Sequence, residues 1–127
     1  MPRWLVDVSN VMGARPDGWW RDRDGAARRL LDRLIAHAAT TGDEVVAVLD
    51  SGPREWAGDH DGITVHIAPH PARDAADEVI ARLVGEDADP RSVTVATSDR
   101  GLAMRVRRRG ASVEGAGAFQ RRLDESG

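Results

Sequence analysis

Three apolar runs end in, or closely surround, an aspartate: Trp4-Leu5-Val6-Asp7-Val8, Val45-Val46-Ala47-Val48-Leu49-Asp50 and Val93-Thr94-Val95-Ala96-Thr97-Ser98-Asp99. A fourth acidic spot, Asp74 with Asp77, opens a helix-like segment. Such runs read as strands of a parallel sheet. Their carboxyl ends lie side by side on one edge, and ligands of open α/β sheets bind outside that edge. The pattern therefore predicts several carboxylates converging on one point. Like charges held together raise one another's pKa unless a cation joins them. Carboxylate oxygens suit a hard divalent ion, and the chemistry expected of the site is metal-assisted phosphoryl transfer.

Each acid also has a plainer reading. Asp7 is the strongest ligand candidate, because a lone charge inside an apolar run is expensive. Asn10, three residues on, is a neutral oxygen ligand or substrate contact, or else a turn residue or helix cap. Asp50 precedes Ser51-Gly52-Pro53 and reads equally as a strand-end ligand and a turn starter. Asp74 and Asp77 suit a helix start, as N-cap and first-turn acid. On the helical wheel Asp77 borders the apolar stripe beside Ile80 and Val84, whereas Asp74 turns toward solvent. Asp77 is thus expected in a central site and Asp74 at its rim or as the cap. Asp99 stands at a strand-to-helix junction as ligand or N-cap, and the Ser98 hydroxyl positions a metal-bound water or binds backbone. Trp19 and Trp20 either stack on bases beside the site or tuck onto the core. His66 and His70 are weaker metal-ligand candidates, since a strand-end and a loop histidine are more often structural or exposed, and His37 and His60 read as surface residues.

The elements that must position these groups follow from the pattern. Gly13 to Asp24 reads as a loop. Ala27, Leu30, Leu31, Leu34, Ile35 and Ala38 mark one helix face, closed by Gly42. Val45 to Leu49 is a buried strand, and Ser51 to Gly62 is turn-rich. Ile63 to Ile67 is a short strand stopped by Pro69 and Pro71. Asp74 to Val84 is a helix, Gly85 to Arg91 a loop, Ser92 to Ala96 a strand and Arg100 to Arg109 a helix. Ala111 to Glu114 is a final strand, with a last helix near Gly117 to Asp124. The order β-α-β-β-α-β-α-β-α predicts an α/β fold, a three-layer α/β/α sandwich with a mostly parallel central sheet.

The 127 residues fit one domain, 1–127, with a real core. Without cysteine, disulfides, thiolate metal sites and a cysteine nucleophile are excluded. No signal peptide and no apolar run near the roughly 20 residues of a membrane span is seen, so a cytoplasmic location and no membrane partner are expected. All 18 basic residues are arginines, which excludes Walker-A phosphate binding, Schiff bases and a lysine base. The net charge of −3 attracts no nucleic acid to the molecule as a whole. From Asp99 to Arg122, however, Arg100, Arg105, Arg107, Arg108, Arg109, Arg121 and Arg122 face only Asp99 and Glu114. That segment can meet phosphates or form a solvated helix face.

Leu5-Val6-Asp7-Val8-Ser9-Asn10-Val11-Met12-Gly13 resembles the opening "hydrophobic strand, Asp-x-x-Asn, Ile/Val" motif of NYN domains, in the PIN-like nuclease superfamily. Val48-Leu49-Asp50 is similar to the second-strand acid of the bacterial YacP-like branch, and Ala76-Asp77-Glu78-Val79-Ile80 to its "Ala-Asp-Glu-x-Ile" helix. Val93 to Asp99 resembles its "Val-Thr-Val-Ala-Thr-Ser-Asp" strand end. The resemblance implies a metal-dependent endoribonuclease using Mg²⁺ or Mn²⁺, with a PIN-like sheet. It implies Asp7, Asp77 and Asp99 as the main metal-site acids and Asn10 and Asp50 in support. Arg100 and Arg105 would hold the RNA backbone. RNA is the expected partner; a homodimer, or a ribosome or RNA-processing partner, stays open. The "Ser-Asp-x-Asp" ending common in PIN-like proteins is cut short, because Gly101 replaces the last acid. A haloacid-dehalogenase-like phosphatase would want Asp-x-Asp after the first strand and a lysine, and both are missing. The remaining alternative is a non-catalytic RNA- or protein-binding module on the same fold.

Overall fold

The computed structural model of the chain describes residues 2–126. Its sheet has six strands: β1 (Arg3–Asp7), β2 (Glu44–Leu49), β3 (Gly58–His60), β4 (Ile63–Ile67), β5 (Val93–Ala96) and β6 (Ser112–Glu114). They lie in the order β3-β4-β2-β1-β5-β6, and every neighbouring pair is parallel except β3–β4. The helices are α1 (Val8–Met12), α2 (Arg23–Thr41), α3 (Ala75–Glu86), α4 (Arg100–Arg108) and α5 (Ala116–Ser126). No helix among the described residues is long and apolar enough to cross a membrane.

Strand alternation divides the core in two. Trp4 and Val6 of β1, with Val45 and Ala47 of β2, pack against α1, α2 and α5. Leu5, Val48, Val93 and Val95 face α3 and α4 on the other side. Strands buried on both faces need continuous apolar runs, which is why the sequence around Asp7, Asp50 and Asp99 reads that way. Successive side chains point to opposite faces. Asp7 therefore shares the face of Leu5, and Asp50 that of Val48, so both carboxylates are aimed toward α3.

The chain runs from β1 outward through β2 to β4, then crosses back to β5 on the other side of β1. The switch point falls between β1 and β5, where a crevice forms at the carboxyl edge.

Four local readings are corrected. The first strand ends at Asp7, and Val8 starts a short helix in place of continuing the run. The loop before α2 contains a 3₁₀ turn, Trp19–Arg21, and α2 begins at Arg23, with the Asp22 side chain accepting from Gly25 N–H at 3.0 Å. The turn-rich stretch holds edge strand β3, whose Gly58-Asp59-His60 has no apolar pattern to reveal it. His37 is buried, not at the surface: it extends the α2 stripe one turn beyond Leu34, with Nε2 3.5 Å from Asp43 and its ring 6.5 Å from that of Phe119. Gly42 closes α2 at φ 76, a left-handed conformation that glycine adopts without penalty.

Candidate metal centre

The crevice is a cleft of about 570 Å³, with Asp7, Asn10, Asp50, Asp74, Asp77 and Asp99 in its walls. Asp74, Asp77 and Asp99 each offer one carboxylate oxygen, and these oxygens lie within 4.8 Å of one another. Two oxygens on opposite sides of one divalent ion are roughly 4–5 Å apart, so the spacing suits a shared cation.

Asp7 stands apart from that trio and is buried, with only 4% of its surface exposed. Its Oδ2 accepts a hydrogen bond from Thr97 Oγ1 at 2.9 Å. The same Thr97 oxygen accepts from Asp99 N–H at 3.1 Å. Thr97 thereby ties the end of β1 to the start of α4. Sequence reasoning assigned it no role, although it stands inside the strand-end motif.

Burial, and then the nearby Asp50 and Asp99 carboxylates, push the Asp7 carboxyl up to about 6, against the lowering effect of the Thr97 hydrogen bond. Asp77 is pushed up to about 7, first by burial and then by Asp7, Asp99, Asp74 and Asp50. Among the described residues no ion pair joins any of these five acids to an arginine or histidine. The cluster thus holds negative charge that the protein does not neutralise by ion pairing, and the donors are hard oxygens only. That is the donor chemistry a Mg²⁺ or Mn²⁺ ion takes.

Several acids also hold structure. Asp50 Oδ1 accepts from Ala76 N–H at 2.7 Å and caps α3 from the end of β2. Asp74, expected at the rim or as the cap, makes no side-chain cap bond; its backbone is left-handed at φ 64 and its side chain is exposed. Asp99 Oδ1 caps α4 through Leu102 N–H at 2.9 Å. A carboxylate has two oxygens, so capping by one leaves the other for the cleft.

Asn10 Oδ1 accepts from Ser98 N–H at 2.6 Å, which leaves the amide's donor end for the cleft. Ser98 Oγ accepts from Ala116 N–H at 2.8 Å, so it binds backbone at the start of α5. Arg105 pairs with Glu78 of α3 at 2.9 and 3.2 Å. Ser98, Arg100, Arg105 and Trp20 lie outside the cleft wall, whereas Trp19, Arg23 and Arg73 line it. Nothing in the pattern around Arg23 or Arg73 marks them; the loop before α2 and the segment before α3 bring them to the rim.

A mostly parallel α/β sheet with unpaired carboxylates at its switch point fits the class of PIN-like nucleases. Within that class the chain belongs to the YacP-like NYN domain family, whose family model matches residues 4–127. Two crystal structures of Rae1 (YacP) from Bacillus subtilis share the fold. One superimposes with a TM-score of 0.82 at 23% identity, covering 99% of this chain and 75% of that one. The other, a tryptophan-to-leucine mutant, gives 0.80 at 22%, covering 99% and 77%. No curated protein matches the sequence.

Proposed function

We propose that the chain is a metal-dependent endoribonuclease that hydrolyses RNA phosphodiester bonds. The observation that supports this best is the convergence of Asp74, Asp77 and Asp99 in the cleft that Asp7 also lines, with no cationic side chain among the described residues in an ion pair with them, in a member of the YacP-like NYN family. Asp77 and Asp99 would hold Mg²⁺ or Mn²⁺, with Asp74 at the outer rim and Asp7 and Asp50 behind. Such an ion, when bound, neutralises phosphate oxygens and lowers the pKa of a water.

The chain's own groups supply the rest. Thr97 fixes one Asp7 oxygen, and the other can orient a water or take its proton. Arg23 and Arg73 on the rim, and Arg100 at the start of α4, would meet phosphates. The donor end of Asn10 is free to hold a phosphate oxygen.

The test is RNA cleavage with Mn²⁺ by the wild type, Asp7→Asn and Asp77→Asn. Loss in both variants is expected, and equal cleavage by all three would sink the assigned site. One feature favours the non-catalytic module. Gly101 is exposed, and a Cβ there would sit 3.4 Å from Asp99 Oδ1, so an acid in its place would extend the cluster. Calorimetry separates the two readings: RNA binding without any Mn²⁺ binding is the mark of the module.

A further inference from the structure

An acid-lined cleft in a chain of net charge −3 repels the polyanion it would cut. Attraction must come from local features, and the short turn Trp19–Arg21 over the cleft supplies them. Trp19 is its anchor. The ring packs against the core shared by α1 and α2, and a Cβ on Gly13 would lie 3.6 Å from it. It also lines the cleft beside Arg23, whose guanidinium carbon is 5.3 Å from its ring centre.

Trp20 differs in kind. It meets Trp19 edge to face, with ring centres 6.0 Å apart at 89°, and so is held in place by an anchored neighbour. Yet 54% of its surface is exposed, and among the described residues only Met104 is another large apolar side chain so open. Arg21 lies 5.8 Å over its ring. A flat, solvent-facing ring with Arg21 over it and Arg23 over its neighbour Trp19 is an arrangement that can stack an unpaired base while cations meet the phosphates nearby.

We infer that Trp20 is a stacking platform for an unpaired base of single-stranded RNA, next to the phosphodiester held in the acid cleft, with Arg21 and Arg23 meeting the flanking phosphates. The inference rests on the nuclease reading for what occupies the cleft, and it names the substrate class. Bases in a duplex are already stacked on one another and offer no free face, so the platform discriminates against double-stranded RNA.

The experiment uses a labelled single-stranded RNA oligonucleotide and the duplex made from it. Binding is measured by anisotropy in EDTA, and cleavage in Mn²⁺. Trp20→Ala, whose side chain is mostly exposed, is compared with wild type and with Trp20→Phe. Base–aromatic stacking predicts a loss of single-strand affinity of about 5- to 150-fold for Trp20→Ala. Trp20→Phe should recover much of it, and duplex binding should not change. In cleavage KM should rise, with kcat within about twofold. Equal single-strand binding by Trp20→Ala and wild type overturns the platform, and does so even if cleavage is normal and the nuclease stands. Trp20-dependent binding without Mn²⁺-dependent cleavage supports the platform and removes the nuclease. Absence of any RNA binding by the wild type overturns the platform, and absence of Mn²⁺-dependent cleavage as well overturns both.

Discussion

Replacing Asp77 by asparagine should make the metal-free protein more stable while removing its response to metal. The Asp77 carboxyl is pushed from 3.8 to about 7, by burial first and by four neighbouring acids after it. In the unfolded chain the group loses its proton near 3.8; in the folded chain it keeps it until about 7. Between those values the folded state binds more protons, so stability falls as pH rises and is flat above the upper one. Taken whole, the difference is a ceiling of about 4 kcal/mol. The side chain is only half-buried, and solvent screening reduces the figure to roughly 1–2 kcal/mol. In EDTA at pH 8 Asp77→Asn should therefore melt higher than wild type, by roughly 3–10 °C for a domain of this size. At pH 4 the gap should close. Mn²⁺ at about 100 times its Kd should add about 2.7 kcal/mol to the wild type and far less to the variant. Thermal melts across pH, with EDTA or Mn²⁺, read all of this. A variant no more stable than wild type at pH 8, with an undiminished Mn²⁺ response, would refute both the uncompensated cluster and the role of Asp77 in it.

Three further outcomes follow from named contacts. Thr97→Val removes the hydroxyl that donates to the Asp7 carboxylate and leaves Asp99 N–H without its acceptor; it should cost about 1–3 kcal/mol, read by urea denaturation, and raise the Asp7 pKa above about 6, read by NMR titration. Asp50→Ala uncaps α3 and should cost about 1 kcal/mol and weaken Mn²⁺ binding through displacement of Asp77, whereas Asp50→Asn, which keeps the acceptor for Ala76 N–H, should recover most of the stability. Ser98→Ala removes the acceptor for Ala116 N–H and should lower stability by about 0.5–2 kcal/mol with little change in Mn²⁺ affinity measured by calorimetry.

The strands and long helices were legible because each is a local pattern. Val45 to Leu49 is apolar throughout, since both sheet faces are covered. Leu30, Leu34 and Ala38 repeat at helical spacing because one face of α2 meets the core. The acidic edge was legible for the same reason, each aspartate standing at the end of such a run. Edge strand β3 was hidden, because three polar residues gain their strand character only by pairing with β4.

What the sequence determined by itself is therefore the inventory: six acids and amides at strand and helix ends, an all-arginine basic set, a parallel α/β order. Which of them meet is decided by strand order and register, and these depend on residues far apart in the chain. Asp50 caps a helix 26 residues away, a pairing no local rule contains. Asp74, read as rim or cap, makes no side-chain cap bond and joins the outer trio with Asp77 and Asp99. Asp7 is drawn behind them by Thr97, 90 residues on. Charges interact through space and not along the chain, so only the folded sheet could turn separate aspartates into one electrostatic centre.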